Sequence, residues 1–386
     1  MSQWVVNEEH VMIHYDLNEV TKLTQALVAI RSFPGEEHAV QQYIVDWFAK
    51  YHISTEIQTT KTAPNIIVRI ENGDGPTIML NGHVDTVLVA EGWECDPFVG
   101  KIDGENFYGL GACDMKSGVA AIMLVTREMF RHKNRWSGTL IFTSVVDEEA
   151  YSVGAYALID SGIKADYCIV SEPMPGMVLG ATGKVLVKAD VIGKAAHGFM
   201  PWQGINAASE GSRFVVGVDQ LPLGQHERIP SSQSVLSFLS GSAQYVVTIP
   251  ERAEILVSRQ IVPGETKESV LAQMQGVVDG LKSPARIELS TPPPYYPSYD
   301  IDPQHRLIQV MQEAYRVVHH REAELTYSTG VGDANLFNGL AGIPSVNHGP
   351  TGGNFHQCNE WVNLPSIAAC CVVYTRALMA FMGKEL

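Results

Sequence analysis

The chain has 386 residues, more than one hydrophobic core usually holds, so two domains are expected, each with ample buried surface. With 45% hydrophobic and 18% charged residues the composition is that of a soluble globular protein, and a formal charge of −15 argues against nucleic acid or an anionic membrane as partner. The amino terminus has neither a basic n-region nor an apolar h-region, no apolar run approaches the roughly 20 residues that span a bilayer, and the six cysteines include no Cys-x-x-Cys pair; a cytoplasmic protein with reduced thiols is the expectation.

Leu17, Val20, Leu23, Leu27 and Ile30 recur at helical spacing and predict an amphipathic helix that Pro34-Gly35 stops. A second helix follows, with Val40, Tyr43, Ile44, Trp47 and Phe48 on one side. Residues 65–70 read as a strand, and the Asn72-Gly-Asp-Gly75 turn leads into another, Thr77-Ile-Met-Leu-Asn-Gly-His-Val-Asp-Thr-Val87. That strand ends in polar groups. His83 and Asp85 are two residues apart and so share a face of an extended chain. A carboxylate there can accept the second ring N–H of a metal-binding histidine and fix its tautomer, although an ordinary surface pair has the same appearance.

Gly109-Leu-Gly-Ala-Cys-Asp-Met-Lys-Ser-Gly118 opens a helix over 117–130 and sets Asp114 at its start. Thr139-Leu-Ile-Phe-Thr-Ser-Val-Val-Asp-Glu-Glu149 begins as a buried strand of a parallel sheet and ends in three carboxylates. Ligands of open α/β sheets bind beyond the carboxyl ends of the strands, which sets a positively charged ligand against the alternative of a solvated acidic turn. Residues 167–173 repeat the theme, a strand ending in Glu172 before Pro173.

Gly180-Ala-Thr-Gly-Lys184 lacks the spacing of a phosphate loop, and Val185 stands where Ser or Thr belongs. From Lys184 the pattern changes. Alternation over 185–192, a helix after Asn206, strands over 234–239 and 244–261 with a turn at Pro250, a helix bearing Val270, Leu271, Met274, Val277, Val278 and Leu281, and a strand over 285–290 follow in turn. This β-α-β-β-α-β order is that of a ferredoxin-like unit. Pro292-Pro-Pro-Tyr-Tyr-Pro297 reads as a stiff connector. The remainder returns to α/β character: a helix with Leu307, Val310, Met311, Ala314 and Val317, and a turn with Gly330, Gly332, Asp333 and Asn335. A short strand over 343–349, the segment Gly352-Gly-Asn-Phe-His-Gln-Cys-Asn-Glu360 and a closing helix from near Leu364 complete it. A small domain over 184–294 is thus inserted between 1–183 and 295–386 of a larger α/β domain.

The strand and loop ends supply His83, Asp114, Glu149, Glu172 and His356 as metal-ligand types, with Glu148 left over. Two imidazoles and three carboxylates suit zinc or a similar first-row ion. If one carboxylate bridges two ions, each keeps open positions for water, the mark of a catalytic site. A general base must then take the water's proton. Neighbours on an extended chain face opposite ways, so Glu149 can ligate while Glu148 points at the water.

Asn81-Gly-His-Val-Asp-Thr-Val87, Gly109-Leu-Gly-Ala-Cys-Asp-Met-Lys-Ser-Gly118, Asp147-Glu-Glu149, Ser171-Glu-Pro173 and the late His356 together resemble the metallopeptidase and deacylase family. That family includes acetylornithine deacetylase, succinyl-diaminopimelate desuccinylase, aminoacylase and glutamate carboxypeptidase. The resemblance runs over nearly the whole chain. It implies an α/β, mixed-sheet zinc-peptidase-like catalytic domain with an inserted ferredoxin-like lid and dimerisation domain. By the same likeness Asp114 bridges two divalent ions, Zn2+ with Co2+ or Mn2+ as alternatives; His83 and Glu172 complete one site, Glu149 and His356 the other. Glu148 is then the base, Asp85 orients His83, and the Asp114–Met115 peptide is cis. Gly193-Lys-Ala-Ala-His-Gly198 resembles the lid signature, so that His197 holds the scissile carbonyl oxygen, in this family usually from the partner subunit of a homodimer. Arg259 matches the lid arginine that grips a substrate carboxylate.

The chain departs from the pattern in two places: Val247 where the family often has Asn, and Val257-Ser-Arg259 where it often has Asp-x-Arg. Both fall on the lid and touch the substrate rather than the metal core. The resemblance implies hydrolysis of an N-acyl amino acid, acetyl or succinyl, with a dipeptidase or carboxypeptidase as the alternative. From other classes, an inactive metal-binding protein should have lost Glu148 or a ligand, and a Cys113 hydrolase lacks an adjacent base.

Overall fold

Leu140, Ile141 and Phe142 are fully buried in the strand Gly138–Val145, which pairs parallel with Thr77–His83 and antiparallel with Asn65–Asn72. Each such side chain contributes about 1.5–3 kcal/mol by leaving water, so these strands anchor the sheet. In the computed structural model, which describes residues 4–8, 11–242, 244 and 247–384, the mixed sheet runs from Glu56–Gln58 through Asn65–Asn72, Gly138–Val145, Thr77–His83 and Tyr167–Val170 to Ser345–Asn347 and Met177–Ala181. Strands Gly138–Val145, Thr77–His83, Tyr167–Val170 and Ser345–Asn347 are mutually parallel. His83 lies opposite Val145, and Asn81 opposite Val170. One edge therefore collects His83, the acids after Val145 and the Glu172 segment after Val170.

The chain divides into two compact units. The first comprises residues 1–179, 301–326 and 332–386, and the second 180–300 and 327–331. The sequence set the insertion a few residues further in and did not assign 327–331 to it. The proline segment at 292–297 is not the boundary: it lies inside the second unit, where Lys184 and Tyr296 form a β-bridge.

In the first unit the helix Ser117–Arg131 is buried over nearly its whole length and packs against Leu364–Met382. Its start approaches the sheet closely: a Cβ on Gly118 would lie 2.1 Å from the carbonyl oxygen of Ser171. Leu364–Met382 is long and apolar enough to cross a membrane by length and composition, which corrects the expectation that no segment reaches that length. Here it is a core helix, with Ile367, Cys371, Val373 and Leu378 fully buried. Helices Leu17–Val28 and His38–Ala49 form where the periodicity placed them, the first capped by Asp16, whose side chain accepts from the amide of Asn18 at 3.1 Å. A small antiparallel sheet, Gly352–Gly353, Trp361–Asn363, Asn106–Tyr108 and Lys101–Asp103, was not read from the sequence. Its strands are only two or three residues long, too short to show alternation.

The second unit has the expected order. Gly183–Ile192, Ala207–Asp219, Ser232–Ser240, Arg252–Ile261, Lys267–Leu281 and Arg286–Ser290 give a four-stranded antiparallel sheet carrying two helices. Val185, Val187, Ala189 and Val191 alternate into its core against Phe214, Ile255, Val257 and Met274. The strand read over 244–261 is in fact the short piece Thr248–Ile249, the turn at Pro250 and Arg252–Ile261; positions 245 and 246 lie outside the described residues, as do positions 1–3, 9 and 10 of the amino terminus.

Candidate metal centre

His83 is the last residue of its strand and is 1% exposed. Its Nδ1 lies 3.1 Å from the carbonyl oxygen of Asp85 and 3.5 Å from that residue's carboxylate. A carbonyl can only accept, so in the neutral ring Nδ1 carries the proton and Nε2 turns its lone pair outward. Outward means toward acid: Nε2 is 3.3 Å from Oδ1 of Asp114, 3.9 Å from Glu172 and 4.0 Å from Glu148. The other oxygen of Asp114, Oδ2, lies 3.3 Å from Nε2 of His356, which is also 3.0 Å from Glu149. Asp114 thus faces one imidazole with each oxygen. His83, Asp114, Glu148, Glu149, Glu172 and His356 come together in the first unit.

One strand end and four loops deliver them. Asp114 sits in the wide turn Ala112–Lys116, where its own backbone is non-helical and the Asp114–Met115 peptide is cis, as the resemblance implied. His356, half-exposed and at φ +63°, rides on the loop joining Gly352–Gly353 to Trp361–Asn363. Glu148 and Glu149 do not diverge by strand alternation, as the sequence reading had it. The strand ends at Val145, Asp147 takes φ +63°, and a turn follows. Asp147 is held there by its own Oδ2, which accepts from the amides of Tyr151 and Val153, and by Glu37, whose Oε1 accepts from the Asp147 amide at 3.1 Å. Asp85 ties the two halves together, since its Oδ2 accepts from the amide of Glu149 at 2.9 Å.

The electrostatics are those of an unneutralised acid cluster. Burial pushes the Glu148 carboxyl well above the usual range; His83 works against that, while Glu172, Asp333 and Glu149 add to it. Burial likewise raises Glu172, with Asp114 reinforcing the shift. Burial opposes ionisation of Asp114 too, but hydrogen bonds from His356 and His83 overcome it and hold that carboxyl low. His356 is pushed up to about 10 by its bonds to Asp114 and Glu149. Among the described residues no lysine or arginine is an ion partner of Asp114, Glu148, Glu149 or Glu172. Imidazole and carboxylate donors converging with an excess of negative charge fit divalent cations. His83, Asp114 and Glu149 alone bring three ligand atoms within 4.8 Å of one another.

The remaining expected site residues lie in the second unit. His197 is exposed on the short strand Ala196–His197, and its Nδ1 accepts from the amide of Phe199 at 3.2 Å. Arg259 is a correction. Its side chain is 1% exposed and its guanidinium bonds Glu265 at 2.8 Å, the carbonyl of Pro222 at 2.8 Å and Gln233 at 3.2 Å, with Nε left over. With Glu265 on one of its nitrogens, Arg259 faces the unit's interior, and in this conformation its guanidinium is not open to a substrate. Nor is Cys113 a nucleophile, since burial drives its thiol far above the ordinary range.

Sequence reasoning passed over three buried acids that the site uses. Glu37 follows a Pro-Gly turn and reads as a helix start. Asp333, 1% exposed, accepts from Asn81 at 2.9 Å and is pushed up to about 6 by burial. Glu360, 1% exposed, accepts amides of the Asp114 loop. The signal for the last was its place four residues after His356 and beside an apolar strand.

The first unit thus sets an acid and imidazole cluster with the donors for divalent cations at its strand ends, and the chain carries an inserted ferredoxin-like unit. Residues 79–380 match the model of peptidase family M20/M25/M40, and the chain belongs to that family. It is 26% identical to a succinyl-diaminopimelate desuccinylase of Nitrosomonas eutropha over 95% of this chain and all of that one. To the enzyme of the same name from Dinoroseobacter shibae it is 28% identical, over 81% of this chain and 86% of that one. Among solved structures, aminopeptidase PepT of Bacillus cereus superposes with a TM-score of 0.77 at 22% identity, covering 94% of this chain and 98% of that one. The YXEP protein of Bacillus subtilis, a dinuclear metal-binding peptidase, superposes with a TM-score of 0.71 at 18% identity, covering 95% and 98%. These two likenesses establish the fold.

Proposed function

We propose that this protein removes an acyl group, succinyl or acetyl, from the nitrogen of an amino acid, with two divalent ions, Zn2+ in the first instance, as cofactor. The observation that carries the reading is Asp114, with one oxygen 3.3 Å from the Nε2 of His83 and the other 3.3 Å from that of His356. His83, Asp114 and Glu172 would hold one ion, and Asp114, Glu149 and His356 the other. Bound there, the ions supply Lewis acidity to a water and to the scissile carbonyl.

The chain's own groups do the rest. Asp85 keeps the proton of His83 on Nδ1 and, through the Glu149 amide, sets the spacing between the two ligand loops. Glu148 is the acid that no ligand role uses, and its carboxylate, 4.0 Å from Nε2 of His83, stands where it can take a proton from water and hand it to the departing nitrogen. Attack on the amide carbon then breaks the C–N bond, releasing a carboxylate and an amine. Likeness to desuccinylases over nearly the full chain favours the deacylase over the peptidase reading.

His197 remains a proposed ligand of the carbonyl oxygen, given from a partner subunit of a homodimer. In support of a dimer, the edge strand Ser232–Ser240 of the second unit exposes Leu236 and Leu239. Six free cysteines fit a reducing, cytoplasmic setting. The test is a hydrolysis screen of N-succinyl, N-acetyl and dipeptide substrates with added Zn2+, Co2+ or Mn2+. Turnover of N-acyl amino acids supports the proposal, and turnover of dipeptides alone overturns the deacylase part of it.

A further inference from the structure

Glu360 holds both ends of the arrangement around Asp114. Its Oε2 accepts from the amide of Gly111 at 2.8 Å, and its Oε1 from the amides of Cys113 at 2.8 Å and Asp114 at 2.9 Å. Its carbonyl oxygen accepts from Gly109 at 3.0 Å. One residue therefore receives four amides from a six-residue stretch that turns through a left-handed Gly111, at φ +72°, before it reaches Asp114. That stretch would otherwise leave buried N–H groups without partners, at about 1–3 kcal/mol each. Glu360 also ends the loop carrying His356, and the strand Trp361–Asn363 follows at once. The two loops it joins supply the two side chains that meet at 3.3 Å, Asp114 and His356.

We infer that Glu360 is a positioning residue that, by gripping the amides of Gly111, Cys113 and Asp114, fixes the shared carboxylate relative to His356 and so sets the affinity of the pair of ions. This rests on the two-ion reading of the site. Three N–H donors converge on two oxygens, so only a carboxylate serves all of them. A glutamine can keep Cys113 and Asp114 on its oxygen but turns an NH2 against the Gly111 amide, donor to donor. An aspartate keeps the charge and falls a methylene short.

The experiment is titration of the metal-free full-length protein with Co2+, followed by calorimetry and by the visible absorption of the bound ion, for the unaltered chain, Glu360→Gln and Glu360→Asp. Both variants should bind Co2+ about 10–100-fold more weakly, with an altered absorption spectrum, while far-ultraviolet circular dichroism of the metal-free protein stays unchanged. Turnover at saturating metal should fall as well. Unaltered affinity and spectrum in both variants would overturn the proposal, even if the metal-free protein melts at a lower temperature. Failure of both variants to fold would overturn it too, since Glu360 would then serve the architecture alone. An unaltered protein that binds no Co2+ stoichiometrically defeats the two-ion reading itself, whatever Glu360 does.

Discussion

Gly332→Ala is a sharp probe of Glu148 as the base. A Cβ at position 332 would stand 2.7 Å from Oε1 of Glu148, and ordinary contact begins near 3.4 Å, so the carboxylate must retreat by about 0.7 Å. Gly332 has φ −171°, extended backbone that alanine adopts freely, so the substitution adds no local strain. The clashing atom is the far end of a flexible side chain, so the fold gives way there and nowhere else. A misplacement near 1 Å can cost about 100-fold in rate, and 0.7 Å should lower kcat by roughly 10- to 100-fold, about 1.4–2.7 kcal/mol of barrier. Metal content should stay at two ions per chain, because Glu148 is not among the proposed ligands. The assay is steady-state hydrolysis of the best substrate from the screen, with metal counted by mass spectrometry. A Gly332→Ala enzyme with unaltered kcat would refute the placement of the base. A variant that loses metal in proportion to activity would show Glu148 to be a ligand.

Glu148→Ala should lower turnover by at least about 100- to 10,000-fold with both ions retained; surviving activity per bound ion would remove it from the mechanism. Chelation should give a folded, inactive protein that Zn2+ or Co2+ restores, checked by circular dichroism beside the activity assay; full activity after rigorous metal removal would contradict a metal-dependent reaction. His356 in the metal-free protein binds a proton up to about pH 10 and must lose it to ligate, so metal entry at neutral pH should release protons and the apparent affinity should rise with pH toward that value. Calorimetry in buffers of different ionisation enthalpy measures this. By the same linkage, the stability that imidazolium lends the metal-free fold is complete below the ordinary histidine value of 6.5 and is lost as pH rises through about 10, readable in urea melts against pH. Arg259→Ala should lower the stability of the protein by about 1–3 kcal/mol, because it takes the cation from Glu265, a carboxylate only 13% exposed. An unchanged urea midpoint with a raised KM would return Arg259 to the substrate.

The cluster proposed to hold metal was legible because its residues sit where strands and loops end, and chain order alone brings parallel strands to one edge. His83, Glu149 and Glu172 could be read in this way from short apolar runs finished by acids or imidazole. The ferredoxin-like unit was legible from alternation such as Val185, Val187, Ala189 and Val191. What stayed hidden depends on tertiary contact. Nothing local to Glu265 marks it as the partner of Arg259, and nothing local to Glu360 shows three amides waiting for it. The divergence of Glu148 and Glu149 was expected for the wrong reason: left-handed backbone at Asp147 is held by its own side chain and by Glu37, about a hundred residues earlier in the chain. That the closing helix is apolar over a span's length went unread because Pro365 and Arg376 interrupt its apolar character in the sequence, whereas proline near a helix start is tolerated.

The most direct measurement is a crystal of the zinc-loaded protein with data collected on either side of the zinc absorption edge. The account predicts two anomalous peaks flanking Asp114, one against His83 and Glu172 and the other against Glu149 and His356, with Glu148 bonded to neither. A single peak, or zinc bound away from Asp114, would contradict it.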